Sequence, residues 1–355
     1  MFVNYYIYGD GNINLQRFAA GDVVNATTHY VNANTGTTTA FDGVNTMSPT
    51  MKTFYDTELL ENARGQFFFE QFGKKQPLPA NNGRTMEWRK WNTLPRATAL
   101  AEGVIPTGQK MGMTVLNASL QQYGMFVAVT DLLELHAIDN VLLGATEELG
   151  ASAGETKDIL IRNELQTGTS VMYCDTVGAD GKKTEVTGYD GMSADNNRLT
   201  PDMVNKAATF LKKMKAPTIN GKYVALIHPS VTYDIRSSEE WIEAHKYANT
   251  TEIFNGEIGE LHNVRFIETA NAKITDQGGK KVYSTIFLGK DAYGVVNPEG
   301  GAMEMIVKDK RQVGGPLEQF STAGYKFEDC TKILYQERMV RVESCSAYSL
   351  IDEAN

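Results

Sequence analysis

Hydrophobic and polar positions recur along this chain with two different periods, and the changes of period divide it into segments. Through TMKTFYDTELLENARGQFFFEQFG (50–73), apolar residues at Phe54, Leu59, Leu60, Ala63 and Phe67 follow a helical spacing that stops at Gly73. The phenylalanines that close this stretch, Phe67, Phe68, Phe69 and Phe72, need a surface to pack on. Strand character follows in RTMEWRKWN (84–92) and in MTVLNASLQQYGMFVAVTD (113–131). Between them lie about twenty residues punctuated by Pro95, Gly103, Pro106, Gly108 and Gly112. So long a structureless stretch inside one domain points to a functional loop, and two strands with a long tip make an arm.

Asp131 opens a helical region, with Glu134 at capping-box spacing. Leu135, Ile138, Leu142, Ala145, Leu149, Ala153, Leu160 and Ile161 approximate a buried stripe; Gly144, Gly150 and Gly154 are expected to bend or interrupt it, and Gly168 to end it. YCDTVGADGKKTEVTGYDGMS (173–193) reads as a hairpin or surface loop. Thr200 as N-cap and Pro201 as first residue predict a helix over PDMVNKAATFLKKMKA, closed before Pro217. KYVALIH is a buried strand, SSEEWIEAHKYA a helix with Ser237 and Glu240 at capping-box spacing, and VRFIETA and VYSTIFLG are further strands. Helices alternating with strands over about 200 to 310 predict an α+β subdomain. The tail returns to strand alternation at Met339 to Val342 and is expected to pair back onto the first half of the chain.

Composition changes the picture mainly at the start. Residues 1 to about 50, as in THYVNANTGTTTAFDGVNT, are rich in Asn, Thr and Gly, which predicts an extended arm or a disordered lead. The 355-residue chain is 42% hydrophobic, enough for a substantial core. Its formal charge of −9 argues against a protein built to grip nucleic acid. No apolar run reaches the length of a membrane span, and the first residues lack the pattern of a signal peptide. Cys174, Cys330 and Cys345 are too widely spaced for a zinc site and odd in number, so reduced, buried thiols in a soluble protein made in a cytoplasm are expected.

Candidate chemistry is sparse. ALIHPSVTYDIRSSEEW (225–241) sets His228 beside Ser230 with Asp234 beyond, the residue types of a hydrolytic triad. Pro229 restricts the His228 backbone, the G-x-S-x-G context is missing, and Ser230 reads most simply as a helix N-cap. His29, His136, His245 and His262 form no metal-ligand spacing. YDGMSADNN lacks the order of a calcium loop, and neither standard phosphate loop is present, so no catalytic, cofactor or metal residue is assigned.

In order, TFYDTELLENA, FGKKQPLPANNGRTMEWRKWNTLPRATALAEGVIPTG, QYGMFVAVTDLLEL, YVALIHPSVTYDIR and NGEIGELHNVRFIETA resemble the major capsid proteins of tailed bacteriophages, in particular their N4-like branch. The resemblance runs from about residue 50 to 345. It implies an α+β fold of the Hong Kong 97 type: an N-terminal arm and helix (1–75), an extended β-hairpin loop (76–125), a peripheral domain with a long spine helix (126–200 and 316–355), and an axial domain (201–315). It further implies a virion protein, assembled in the bacterial cytoplasm into pentamers and hexamers around double-stranded DNA without sequence-specific contacts. Its partners would be other copies of itself, a portal, a scaffolding protein and decoration proteins. Within this resemblance the His-Pro-Ser stretch is a structural turn of the axial domain. Some such shells join a Lys to an Asn covalently; Lys90 and Lys110 lie in the loop, with no sequence basis for that bond. The sequence carries no helical, charged N-terminal extension of the kind that acts as a built-in scaffold, so either a separate scaffolding protein or a segment removed before this numbering begins is expected.

Charge then nominates contact residues. Arg84, Arg89, Lys90, Arg96 and Lys110 against Glu87 and Glu102 give the loop a net of +3, whereas 131–167, which includes Glu147 and Glu148, carries −6. A basic arm beside an acidic helix suggests docking between neighbours. The rival readings are an encapsulin-like nanocompartment shell of the same fold, a phage tail or decoration protein, and a hydrolase using His228 and Ser230.

Overall fold

A computed structural model describes residues 67–355, apart from 80–82, 93, 98, 100–102, 104, 106, 137–140, 179–181, 194–195, 247–256, 300, 314–316 and 349–351. The arm expected at 1–50 and the helix expected from 50 lie outside the described residues, except for the single 3-10 turn Glu70–Phe72. The chain divides into two units. One holds residues 122–155 and 301–328, and the other holds 67–121, 156–300 and 329–355.

The second unit is organised by β8 (Tyr223–Ile227), the strand read from KYVALIH, in which all five residues are buried. Both faces are covered, which is why the strand is a continuous apolar run without alternation. It lies between β12 (Lys280–Leu288), antiparallel, and β10 (Val264–Glu268), parallel; β9 (Glu257–Leu261) extends the sheet beyond β10. On the other side β12 pairs with β17 (Met339–Ser344), which pairs with β5 (Val171–Tyr173), and β11 (Ile274–Gln277) forms a hairpin with β12. The tail strand therefore sits between the two halves of the sequence, bonded to both, where pairing with the first alone was expected.

Period 2 distributes β8 between two cores. Tyr223, Ala225 and Ile227 pack with α3 (Pro201–Lys213) and α4 (Pro229–Arg236), joined by Trp241 of α5 (Glu239–Lys246). Val224 and Leu226 pack on the opposite face with Phe69, Phe72, Ile161 and Leu165. The phenylalanine cluster thus finds its surface under the sheet. Gly73 follows because the side chains of Val295 and Tyr293 would lie within 2.8 Å of any Cβ there. The chain then enters β1 (Lys74–Leu78), parallel to β13 (Tyr293–Pro298), which β16 (Thr331–Ile333) flanks on its other edge.

The long helix is α2 (Val141–Gln166), and the boundary between the units falls within it. Gly144, Gly150 and Gly154 do not interrupt it, and Gly150 and Gly154 are buried. A short helix, α1 (Asp131–His136), precedes it. Here the sequence reading is corrected twice. The cap is Thr130, whose Oγ1 accepts from Leu133 N at 3.3 Å, and the Asp131 N–H that a capping box would offer Glu134 is donated to Gln319 O instead. Leu135, assigned to the buried stripe, is 77% exposed. The remainder of the first unit is a sheet of β14 (Glu304–Lys308), β15 (Phe320–Asp329) and β4 (Gln121–Thr130), with α6 (Lys310–Val313).

Other local readings meet the same test. Thr200 caps α3, accepting from Met203 N, and Lys215 in the left-handed region (φ 55) carries the chain from the helix end toward Pro217. The 173–193 stretch contains the small hairpin of β6 (Thr176–Val177) and β7 (Lys183–Thr184). The capping box at Ser237 and Glu240 does not form. Ser237 and Ser238 hydroxyls donate backwards to Tyr233 O and Ile235 O, so α4 claims both before α5 begins.

Candidate assembly surfaces

The hairpin expected between 84 and 131 is β2 (Thr85–Trp91) with β3 (Met113–Ser119), paired without a break from Thr85↔Ser119 to Trp91↔Met113. Asn92 N donates to Gly112 O at 2.9 Å, and Thr114 Oγ1 to Asn92 Oδ1 at 2.9 Å, closing the mouth of the long loop. β4 leaves the hairpin for the other sheet, Leu120 N having bonded back to Arg84 O.

The two ends of this hairpin have different surroundings. At the base, Met86 and Trp88 share one face and are buried with Leu120, Val296, Cys330 and Leu334. Trp88 lies so close to Gly294 that a Cβ would sit 3.0 Å from the indole. At the other end Trp91 is 60% exposed, Ile105 93%, and Leu94, Met111, Met113 and Val115 are exposed as well. Large apolar side chains concentrated on one loop mark a surface made to be covered. The sequence reading missed these residues and chose charges instead; the available signal was Trp, Ile and Met in a Pro/Gly-rich stretch of neither period.

The charged candidates are placed as follows. Arg84 Nη2 donates to Leu120 O at 3.3 Å, bracing the hairpin base. Arg89 pairs with Glu87 on the same strand at 2.6 Å. Lys90 reaches Glu337 at 3.4 Å and sits 4.4 Å from the Tyr335 ring centre. These three are engaged within their own chain. Arg96 and Lys110 are exposed on the loop, and Glu147 and Glu148 are exposed on α2, in the other unit. Asp158 and Arg162 of the spine region are buried inside the subunit, and their opposite charges leave its net charge unchanged. Glu134 and Glu164 are paired with Lys310 and Lys332. The docking charge is therefore smaller than the sequence total.

In the first unit, large apolar side chains are exposed at Met125 of β4, at Leu132 and Leu135 of α1, and at Leu317 before β15.

The His228 stretch makes no triad. His228 itself caps α4: its Nδ1 accepts from Ser230 N at 3.2 Å, and Ser230 lies inside the first turn. The Ser230 hydroxyl donates to Asp352 Oδ2 at 2.7 Å, beside Tyr283 OH, which donates to the same oxygen at 2.5 Å. Asp234 accepts from Ala347 N, with Oδ2 at 3.2 Å. Ser230 therefore does not cap the helix, because Pro229 turns the imidazole into that place. Burial lowers the His228 pKa, and burial raises that of Asp234. His228 serves the helix start, while Ser230 and Asp234 each bond the C-terminal tail, at Asp352 and at Ala347. All three cysteines are free and buried.

Comparison with known proteins gives one family and one fold. A family model described as phage capsid protein matches residues 114–324. The capsid of Ralstonia phage GP4 aligns over 80% of this chain and 92% of its own, with a TM-score of 0.60 at 13% identity. The capsid of cyanophage P-SCSP1u aligns over 79% and 88%, with 0.56 at 11%. The head of Helicobacter pylori bacteriophage KHP40 aligns over 76% and 87%, with 0.54 at 11%. No curated protein sequence matches the chain.

Proposed function

The chain belongs to the phage capsid protein family, and on that premise we propose how its exposed apolar surfaces serve the shell. It is a structural protein of the virion, a major capsid protein of the Hong Kong 97-type fold that builds an icosahedral head, and not an enzyme. The far end of the hairpin, with Trp91, Ile105, Met111 and Met113, lies across a neighbouring subunit and covers the apolar side chains Met125, Leu132, Leu135 and Leu317 there. The observation that carries this reading is the contrast along one hairpin between a buried base and an uncovered end. Burying such side chains is worth about 25 cal/mol per Å² of apolar area, and repetition around rings of five and six closes the shell.

The finer assignments are part of the same proposal. The motif order quoted above supports the N4-like branch and the partition into arm, extended loop, peripheral and axial domains. A charge of −9 suits a wall from which packaged double-stranded DNA must not be immobilised, with a portal, a scaffolding protein and decoration proteins as further partners and assembly in the host cytoplasm. Arg96 and Lys110 against Glu147 and Glu148 of a neighbour are the charge pairs retained for setting register.

The test is electron microscopy of purified, overexpressed protein beside its Ile105→Asp variant. Shells from the parent and dispersed, folded subunits or capsomers from the variant are expected. Regular shells from the variant would overturn the role given to the hairpin end.

A further inference from the structure

The charge of −9 is not spread evenly, and one corner of the second unit has the opposite sign. β8 begins, β12 ends and β17 begins at the same end of the sheet, since Leu288 pairs with Val224 on one side and with Met339 on the other. The turn that follows α3 is knit to that end. Lys290 N donates to Pro217 O at 2.8 Å, Gly289 N to Arg338 O at 2.7 Å, and Arg338 Nη1 to Lys290 O at 3.2 Å. Lys212 and Lys213 of the last turn of α3, Lys215 just past it, and Lys290 are thereby gathered on one corner, and all four are exposed. Arg338 and Lys90 border it, 3.8 and 4.4 Å from the centre of the Tyr335 ring. Against these six cations stand Asp291 and Glu337, so the corner carries a net of +4.

The folded chain itself accounts for part of this charge. Lys90 is paired with Glu337, and Lys212 and Lys213 complement the carbonyl end of α3. Lys215 and Lys290 have no such role. Lys215 stands one residue past the C-cap at φ 55, where glycine is the least strained residue, so the backbone does not account for a lysine there. None of the four exposed lysines forms an ion pair with a described carboxylate.

What the corner offers a partner is ammonium charge. The amide N–H groups of Gly289 and Lys290, which could register a peptide, are already donated to Arg338 O and Pro217 O. Mobile point charges without fixed donors suit a regular array of phosphates, contacted without regard to base sequence. We propose that Lys212, Lys213, Lys215 and Lys290 form a contact site for the phosphate backbone of duplex DNA, an inference that rests on the reading of the shell as a container for that DNA. The acidic remainder of the subunit keeps the contact weak, so the duplex is touched at a point without being immobilised.

The experiment is fluorescence anisotropy of a labelled duplex of about 30 base pairs with unassembled full-length subunits, titrated at several salt concentrations. Four phosphate contacts predict binding about a hundredfold weaker at 200 mM than at 50 mM salt, and equal for duplexes of unrelated sequence. Lys212→Gln, Lys213→Gln, Lys215→Gln and Lys290→Gln together should weaken binding at the lower salt at least about tenfold and remove most of the salt dependence. Arg236→Gln with Arg311→Gln removes two exposed cations elsewhere and should change binding less than about threefold. Circular dichroism checks that the variants are folded; if the fourfold variant is not, the pairs Lys212→Gln with Lys213→Gln and Lys215→Gln with Lys290→Gln decide, each weakening binding. Parent subunits that do not bind duplex at low salt, or a folded lysine variant that binds as the parent does, would overturn the proposal. Tighter binding of polyglutamate than of duplex at equal salt would overturn it in favour of an acidic peptide. Shells should still form from the lysine variant, so loss of duplex binding with intact shells separates this site from the surfaces that build the shell.

Discussion

Trp88 and Trp91 stand three residues apart on the same strand and meet opposite fates. Trp88 is buried against Gly294 and the Leu334 cluster, and Trp91 is mostly exposed where the ladder ends. The strand pairing does not change between them, since one register runs from Thr85 to Trp91. What changes is the face each ring takes on a period-2 strand, and what the chain can place behind it. Behind Trp88 lie β13 and β16, while Trp91 is left mostly exposed. The same residue type is thus core at one end of a hairpin and exposed surface at the other.

The contrast makes its strongest prediction at the base. Trp88→Ala should cost about 3–5 kcal/mol, because the cavity beside Gly294 cannot collapse onto a paired sheet. Denaturant unfolding of unassembled subunits measures it, and a loss under about 1 kcal/mol would mean that the base is not seated as described. At the far end, Trp91→Ala with Ile105→Asp should leave that unfolding curve within about 0.5 kcal/mol of the parent. Its effect belongs on sedimentation profiles, where shells should be replaced by slower species. Destabilised subunits from this pair would erase the distinction between base and end.

How much of this the sequence disclosed depends on how local each determinant is. The buried run of β8, the Thr200–Pro201 helix start and the hairpin with its long loop are written in periodicity and turn residues, and each appears where expected. Capping was less legible. Asp131, Ser230 and Ser237 all have the right chemistry at a helix start, but Thr130, His228 and the preceding helix's carbonyls compete for the same bonds. That competition is settled by backbone direction, which residue spacing does not encode. Two of the nominated contact charges are engaged within the chain for a related reason. Lys90 and Arg84 look like free cations in the sequence, yet Glu337 and the Leu120 carbonyl, distant along the chain, engage them.

A smaller effect is expected where the C-terminal tail is pinned. Ser230→Ala no longer removes a cap, since His228 supplies it, but it takes one donor from Asp352 and leaves Tyr283 as its remaining donor of the pair. Losing a bond to this half-buried carboxylate should cost about 1 kcal/mol. Shells should still form. Thermal unfolding beside Asp352→Asn tests the pairing: comparable losses that do not add in the double mutant fit one shared bond, whereas full additivity would separate the two residues.

The smallest effect concerns charge, and the structure sharpens how to look for it. Reversing Arg89 and Lys90 would confuse assembly with folding, because Lys90→Glu sets a carboxylate against Glu337 of the same chain and Arg89 is already matched by Glu87. Arg96 and Lys110 are exposed on the loop and carry the same sign without that complication. An exposed pair is worth at most about 1 kcal/mol, so a single contact would barely register. A shell repeats the contact at every subunit, and complementary charge acts chiefly on register and rate. Arg96→Glu with Lys110→Glu should therefore leave circular dichroism unchanged and slow the growth of light scattering during assembly, more at low salt than at high. Adding Glu147→Lys and Glu148→Lys should recover part of the rate if these residues face the loop of a neighbour. Unchanged kinetics at low salt in the loop variant would leave apolar burial as the sole driving surface. A slowed variant without recovery would keep the loop charges and move their partner elsewhere on the neighbour.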